Sequence, residues 1–343
     1  MNEFTFSIPQ NIVCGTGTIN KLPEIISNCG YTKAFIISGQ VLTRLGVVAQ
    51  VSALITTSGF DCAVFNNVEV NPSIKTVDAA TEAYKKSGAD CIIALGGGSP
   101  MDVAKAVGVL AVYGGSITDY EGAEKVPGKI VPIIAIPTTA GTGSEVTAFT
   151  VITDHSRNYK LTVFSYNIIP EYALLDSELI ISLPMSVAAA TGIDALVHAI
   201  EAYLSTAASL FSDAMAEKAM ELIGGSIRTF CANRKNITAA ENMLMGSTFA
   251  GIAFAWARLG NVHAMAHPLS GFFDIPHGVA NAILLPVVLE YNSIADKGKY
   301  KKIYDYINSK NYSEKNFTTD MLVDEIRALT ESLGIPKNLS SIG

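Results

Sequence analysis

The chain of 343 residues changes its hydrophobic rhythm about halfway along. In the first half, short unbroken apolar runs alternate with segments of helical spacing. Ala34-Phe35-Ile36-Ile37, Cys91-Ile92-Ile93-Ala94-Leu95 and residues 130–136 are compact apolar runs and read as buried strands. Ser73 to Lys86 sets Val77, Ala80 and Tyr84 at helical spacing behind Asn71-Pro72-Ser73, and Asp102 to Tyr113 reads as a further helix. Strand, helix, strand, helix predicts a parallel sheet with helices on both faces. Beyond Leu183-Pro184 the β-branched runs give way to Ala-, Met- and Leu-rich stretches over 184–204, 212–223 and 239–257, which predict helices. The expected division is an α/β domain over 1–182 and an all-α domain over 183–343.

Hydrophobic residues make up 49% of the chain and charged residues 16%, enough for large cores with a surplus for a subunit interface, so a homodimer or larger homo-oligomer is expected. The net charge of -7 comes with no basic stripe, which argues against nucleic acid as a partner. Cys14, Cys29, Cys62, Cys91 and Cys231 are scattered with no CxxC pair, a pattern of reducing compartments rather than of a disulfide framework or thiolate metal site. The opening MNEFTFSIPQ shows no basic stretch followed by an apolar one, and runs such as 130–136 and 282–289 are too short to cross a bilayer. A cytoplasmic protein without a membrane partner is the expectation.

Two glycine-rich segments follow predicted strands. Gly96-Gly97-Gly98-Ser99-Pro100-Met101-Asp102 leads into a helix, where glycines admit a phosphate to the backbone and the helix N-terminus offers free N–H groups. The run departs from GxGxxG at Met101, and a tight turn without ligand fits it nearly as well. Pro137-Thr138-Thr139-Ala140-Gly141-Thr142-Gly143-Ser144 repeats the arrangement with more hydroxyls. Two such turns together favour a nucleotide over ordinary Ser/Thr capping.

Four of the five histidines cluster in the second half with a carboxylate. Asp194 and His198 are four apart, His263 and His267 are four apart, and His277 follows ten residues later. Residues four apart share a helix face, so two facing helices can bring Asp194, His198 and His263 to one point, with His277 arriving from a turn. Such a nitrogen/oxygen set without thiolate suits Fe²⁺ or Zn²⁺. A buried Asp–His hydrogen bond explains one pair but leaves three histidines over. Five candidates exceed a tetrahedral site by one, so one of His263, His267 and His277 is free for another role, such as carrying a proton. Glu201, one turn beyond His198 on the same face, reads either as a partner supporting the ligands from behind or as a solvated side chain, the latter favoured, and His155 as a loop residue.

GGGSPMDVAK at 96–105, PTTAGTGSEVT at 137–147, GIDALVHAIEAY at 192–203 and VHAMAHPLSGFFDIPHGVANAILLP at 262–286 together resemble the iron-containing (group III) alcohol dehydrogenases over nearly the whole chain. The resemblance implies a Rossmann-like dinucleotide-binding domain, a helical metal domain of the dehydroquinate synthase-like fold and an active site in the cleft between them. It implies that Asp194, His198, His263 and His277 hold the metal and that His267 stands beside it near the nicotinamide. Cofactor contacts would fall on Gly39, Asn71, Gly97, Gly98, Ser99, Asp102, Thr138, Thr139, Thr142, Thr147, Phe149, Lys160, Leu179 and His267. The implied reaction is reversible hydride transfer between a primary alcohol or small diol and NAD(P)⁺. Phe149, Phe254, Phe272 and Phe273 are candidates for an apolar pocket wall.

Two departures from that family bear on these expectations. Gly39 stands where NAD-preferring members often carry an aspartate that bonds the ribose, so NADP(H) is expected to be accepted or preferred. Family members also usually continue well past the stretch at 333–339, so a truncated C-terminus is expected. A zinc-dependent glycerol dehydrogenase-like enzyme, a dehydroquinate synthase-like enzyme and, in other classes, a metal-dependent hydrolase, an Fe²⁺ oxygenase and a non-catalytic metal-binding scaffold are the rival readings.

Overall fold

The computed structural model describes residues 10–273, 275–308 and 316–342, and the chain divides into two compact units. The first runs through Thr138 and resumes from Ser144 to Leu179. Its elements are β1 (Asn11–Cys14), α1 (Leu22–Asn28), β2 (Lys33–Gly39), α2 (Gln40–Arg44), α3 (Val47–Thr57), β3 (Asp61–Val68), α4 (Ile74–Ser87), β4 (Cys91–Gly96), α5 (Gly98–Tyr113), β5 (Gly122–Ala123), β6 (Ile133–Pro137), β7 (Phe149–Asp154), β8 (Tyr159–Phe164) and β9 (Tyr172–Leu175). Six strands form a parallel sheet in the order β1-β9-β6-β4-β2-β3. From β2 the chain first adds a strand on one side and then returns to the other, so the strand order reverses between β2 and β4. Open α/β sheets bind ligands at the carboxyl ends of strands flanking such a reversal.

The alternation of side chains across this sheet separates two apolar cores. Phe35, Ile37, Ile92, Ala94, Ile133 and Ala135 face one way and pack with Val77, Ala80 and Tyr84 of α4 and with the apolar face of α5. Ala34, Ile36, Cys91, Ile93, Leu95, Ile134 and Ile136 face the other and pack with α1 and α3. Burial on both faces is why these strands read as unbroken apolar runs. The helix expected from Asp102 starts earlier, at Gly98. Pro100 does not prevent this, because a first-turn residue has no intrahelical partner for the N–H that proline lacks. A second, three-stranded sheet orders as β5-β8-β7, its β7–β8 hairpin turning through the exposed His155.

The second unit is helical: α6 (Met185–Leu204), α7 (Leu210–Ala232), α8 (Ile237–Ala257), α9 (Asn261–Phe273), α10 (His277–Asn292), α11 (Lys299–Ile307) and α12 (Thr319–Ser332). It also takes in Thr139–Gly143 from the second glycine-rich turn, a five-residue excursion absent from the expected division. Small residues let these segments approach. A Cβ on Gly246 would meet Ile223 Cγ1 at 2.6 Å, one on Gly192 would meet Met243 Cε at 2.8 Å, and one on Gly141 would meet Thr191 Cβ at 2.7 Å. Among the described residues, two helical stretches, Met185–Leu204 and His277–Ala295, are long and apolar enough by length and composition to cross a membrane. Most of the first is buried within the fold, and its Asp194, His198 and Glu201 break the apolar sequence.

Gly143 has φ +60°, and a Cβ there would lie 2.6 Å from Gly251 Cα, whereas a Cβ on Gly225 of α7 would meet nothing within 4 Å. Gly143→Ala is expected to cost about 1–3 kcal/mol or more, since backbone cannot yield as a side chain does. Gly225→Ala is expected to be neutral or stabilising by up to about 1 kcal/mol. Chemical denaturation of both variants checks the contrast.

Candidate metal centre and nucleotide turns

Helix α6 carries Asp194 and His198 on one face, deep in apolar surroundings; both are buried. Helix α9 supplies buried His263, and α10 supplies His277 as its first residue, directly after Pro276. His277 therefore opens a helix rather than arriving from a turn, because proline fixes the backbone just before the first helical residue. Asp194, His263 and His277 present ligand atoms that all lie within 4.8 Å of one another. The His198 nitrogens fall outside that set: its ring stacks flat between Phe254 and His263, with centroids 4.5 Å from each. Its Nδ1 is buried without a hydrogen-bond partner among the described residues. His267 is exposed and tilts against His277, ring centroids 5.1 Å apart.

Two residues that the sequence reading did not assign to the centre belong to it. Asn281 lies one turn beyond His277 on the same face of α10, fully buried, with Nδ2 at 2.6 Å from Asp194 Oδ1, 3.1 Å from His263 Nε2 and 3.2 Å from His277 Nε2. An amide has two hydrogens for these three acceptors. A buried polar residue four positions after a histidine in an apolar helix was the signal for it. Glu201, expected to be solvated, is instead buried and accepts from Val262 N–H at 2.7 Å. Its Oε2 lies 2.6 Å from His263 Nδ1. The apolar helix it occupies turns that face inward, away from bulk solvent.

The electrostatics favour an ionised Asp194 beside a neutral His263. Burial alone would push the Asp194 carboxyl up, but His198, His277, His263 and the Asn281 N–H hold it below the usual carboxylate range. Burial, reinforced by His198, holds the His263 imidazole well below its ordinary value despite Asp194. Neutral imidazoles and a carboxylate are the protonation states that metal binding requires. Phe254 joins this centre, while Phe272 and Phe273 are 65% and 71% exposed and wall nothing off among the described residues.

In the α/β unit the candidate cofactor residues fall in two groups. Gly39, Gly97–Ser99 and Thr138 stand at or just beyond the carboxyl ends of the adjacent strands β2, β4 and β6, with Thr138 N–H donating to Gly96 O at 2.9 Å. Gly96 has φ +150°, and a Cβ there would strike Pro100 Cγ at 2.6 Å, so the turn admits only glycine without rearrangement. Asn71, at φ +56°, accepts from Lys160 Nζ at 2.8 Å through Oδ1. The second group is tied by Lys105, another residue outside the expected set. Its Nζ is fully buried and donates to Phe149 O (2.7 Å), Thr147 O (2.9 Å), Ser144 Oγ (3.1 Å) and Thr147 Oγ1 (3.2 Å). Ser144 Oγ donates on to Asp102 Oδ1 at 3.2 Å. Desolvation pushes the Asp102 carboxyl up to about 6 against the pull of Lys105, and drives the Lys105 ammonium down to about 8 against the pull of Asp102 and Glu145. Leu179 is buried in the core behind the sheet, Thr139 and Thr142 are half-buried, and the latter two lie in the segment counted with the helical unit.

This fold has known counterparts. Residues 9–177 match the family described as iron-containing alcohol dehydrogenase, and residues 188–343 match the Fe-containing alcohol dehydrogenase family, C-terminal. The chain belongs to the iron-containing alcohol dehydrogenases, oxidoreductases that interconvert alcohols and aldehydes. It is 39% identical to lactaldehyde reductase of Escherichia coli (strain K12) over 96% of this chain and 86% of that one. Among solved structures, an alcohol dehydrogenase from Oenococcus oeni is 37% identical with a TM-score of 0.95, covering 99% of this chain and 90% of that one. Sulfoacetaldehyde reductase from Bifidobacterium kashiwanohense, in complex with NAD+, is 31% identical with a TM-score of 0.91, covering 100% and 89%. Iron and NAD accordingly go with this chain's family.

Lys105→Met is expected to strip four acceptors of their donor and leave Asp102 without its buried countercharge, at a cost of about 3–5 kcal/mol. Denaturant unfolding measures it, and wild-type stability in the variant would contradict the network.

Proposed function

We propose that this chain is a cytoplasmic, homo-oligomeric alcohol dehydrogenase that transfers hydride between a small primary alcohol or diol and NAD(P)⁺, with Fe²⁺ as its metal and Zn²⁺ as an accepted substitute. The convergence of Asp194, His263 and His277 within 4.8 Å carries the reading. The fit of a cation to this set rests on the structure's own donors: an ionised carboxylate, a neutral His263 imidazole, no thiolate among the set, and a buried His198 Nδ1 without a partner among the described residues. Asp194, His198, His263 and His277 are the proposed ligands. Relatives named for lactaldehyde and 1,3-propanediol support a three-carbon diol or hydroxyaldehyde as substrate. The division into a cofactor-binding domain, 1–182, and a metal-binding domain, 183–343, belongs to the same proposal. Scattered cysteines support the cytoplasmic assignment, and exposed Leu210, Phe211 and Tyr291 support self-association.

When bound, the metal supplies a Lewis acid for the substrate oxygen and the nicotinamide supplies the hydride acceptor. Around them the chain's residues bind and orient. Gly97, Gly98 and Ser99 offer the N-terminus of α5 to the pyrophosphate. Gly39, Asn71, Asp102, Thr138, Thr139, Thr142, Thr147, Phe149, Lys160 and Leu179 complete the proposed cofactor contacts. His267, exposed beside His277, would carry a proton to or from bulk water and is included among the proposed cofactor contacts. At the end of β2, Gly39 and the neutral amides of Gln40, Asn66 and Asn67 present no carboxylate to the ribose, which supports acceptance of a 2′-phosphate.

His277→Ala is expected to lose metal and turnover together, whereas His267→Ala keeps its metal and slows by roughly 10²–10⁴-fold, the usual contribution of a positioned proton carrier. Metal analysis alongside an aldehyde-reduction assay checks both, and full activity in His267→Ala would end its assigned role. The ratio of kcat/KM for NADP⁺ and NAD⁺ with propane-1,3-diol is expected to be near or above unity. A preference for NAD⁺ of about a hundredfold, roughly 2.7 kcal/mol, would contradict the inference from Gly39.

A further inference from the structure

We propose that Glu201 is a positioning residue that fixes which nitrogen of His263 faces the metal and holds that ring in place; this rests on the metal reading above. The carboxylate sits one turn beyond His198 on α6 and reaches the start of α9, sixty-one positions away in sequence. Its Oε1 accepts from Val262 N–H at 2.7 Å, and its Oε2 lies 2.6 Å from His263 Nδ1 and 3.4 Å from His263 N–H. These N–H groups belong to the first turn of α9, which has no intrahelical acceptors for them. Glu201 therefore caps the helix and grips the first histidine of that helix with the same group.

The chemistry allows one tautomer. A carboxylate accepting backbone N–H groups has only acceptor capacity to offer, so His263 Nδ1 must donate, and the lone pair falls on Nε2. Nε2 is the atom on the side of Asp194 Oδ1, 3.8 Å away, and of Asn281 Nδ2. Without a hydrogen-bond partner at Nδ1 either nitrogen could carry the proton, and a ring protonated at Nε2 would turn an N–H toward the cation. Space for the grip is built in, since a Cβ on Gly260 would stand 2.9 Å from Glu201 Oε1. A glutamine cannot replace Glu201: with one oxygen changed to NH₂, either Val262 N–H or His263 Nδ1–H faces another donor.

The test has two arms. Glu201→Gln and wild type are stripped and titrated with Zn²⁺ against a chromophoric chelator, and the variant is expected to bind about 10–100-fold more weakly, the usual effect of losing such an outer partner. Equal affinities would overturn the proposal. The second arm needs no variant: ¹⁵N-histidine NMR of the wild-type protein, read with and without Zn²⁺, is expected to show His263 protonated at Nδ1 in both forms. Protonation at Nε2 in the stripped protein would overturn the assignment whatever the variant does. Absence of any tight Zn²⁺ binding by the wild type would instead remove the metal reading underneath, a failure distinguishable from that of Glu201 alone.

Discussion

Burying one carboxylate among imidazoles in an apolar helical core is the constraint on which the helical unit depends. Asp194 lies in the middle of α6, between residues that are almost all apolar and buried. Isolated there it would cost several kcal/mol or shift to its neutral form. It is held ionised because His198, His263 and His277 and the Asn281 amide surround it. The same site is unfavourable for a charged His263, whose imidazole is held neutral by burial and by the neighbouring His198. A set of groups so arranged is short of positive charge, which a divalent cation would supply.

The α/β unit meets the corresponding problem with protein groups alone. Lys105 is a fully buried ammonium, and four oxygens from Ser144, Thr147 and Phe149 surround it. That arrangement makes the segment after the second glycine-rich turn a fixed extension of α5, whose N-terminus opens at Gly98 beside the strand reversal. Phosphate and ribose recognition needs this kind of fixed backbone, because its contacts come from N–H groups and short hydroxyls with little reach of their own.

Much of this was legible in the residues because helical and strand periodicities are local. The i, i+4 pairs Asp194–His198 and His263–His267 marked the faces that converge, and the runs at 34–37 and 91–95 marked a sheet covered on both sides. What stayed hidden depends on long-range packing. Glu201 looked like a solvated residue because its partners, Val262 and His263, lie far along the chain. Nothing local sets Lys105 apart within its helix; β7 and the turn before it bury its ammonium. Thr139–Gly143 joined the helical unit because Gly141 and Gly143 permit contact with Thr191 and Gly251, a property visible only in three dimensions.

The central claim is that a single cation is held by one carboxylate and three imidazoles and by no sulfur. X-ray absorption at the metal K-edge of the purified protein tests it most directly. The account predicts a first coordination sphere of nitrogen and oxygen at about 2.0–2.2 Å, with the outer-shell scattering of three imidazole rings. A sulfur contribution near about 2.3 Å, or scattering from fewer than three imidazoles, would contradict it.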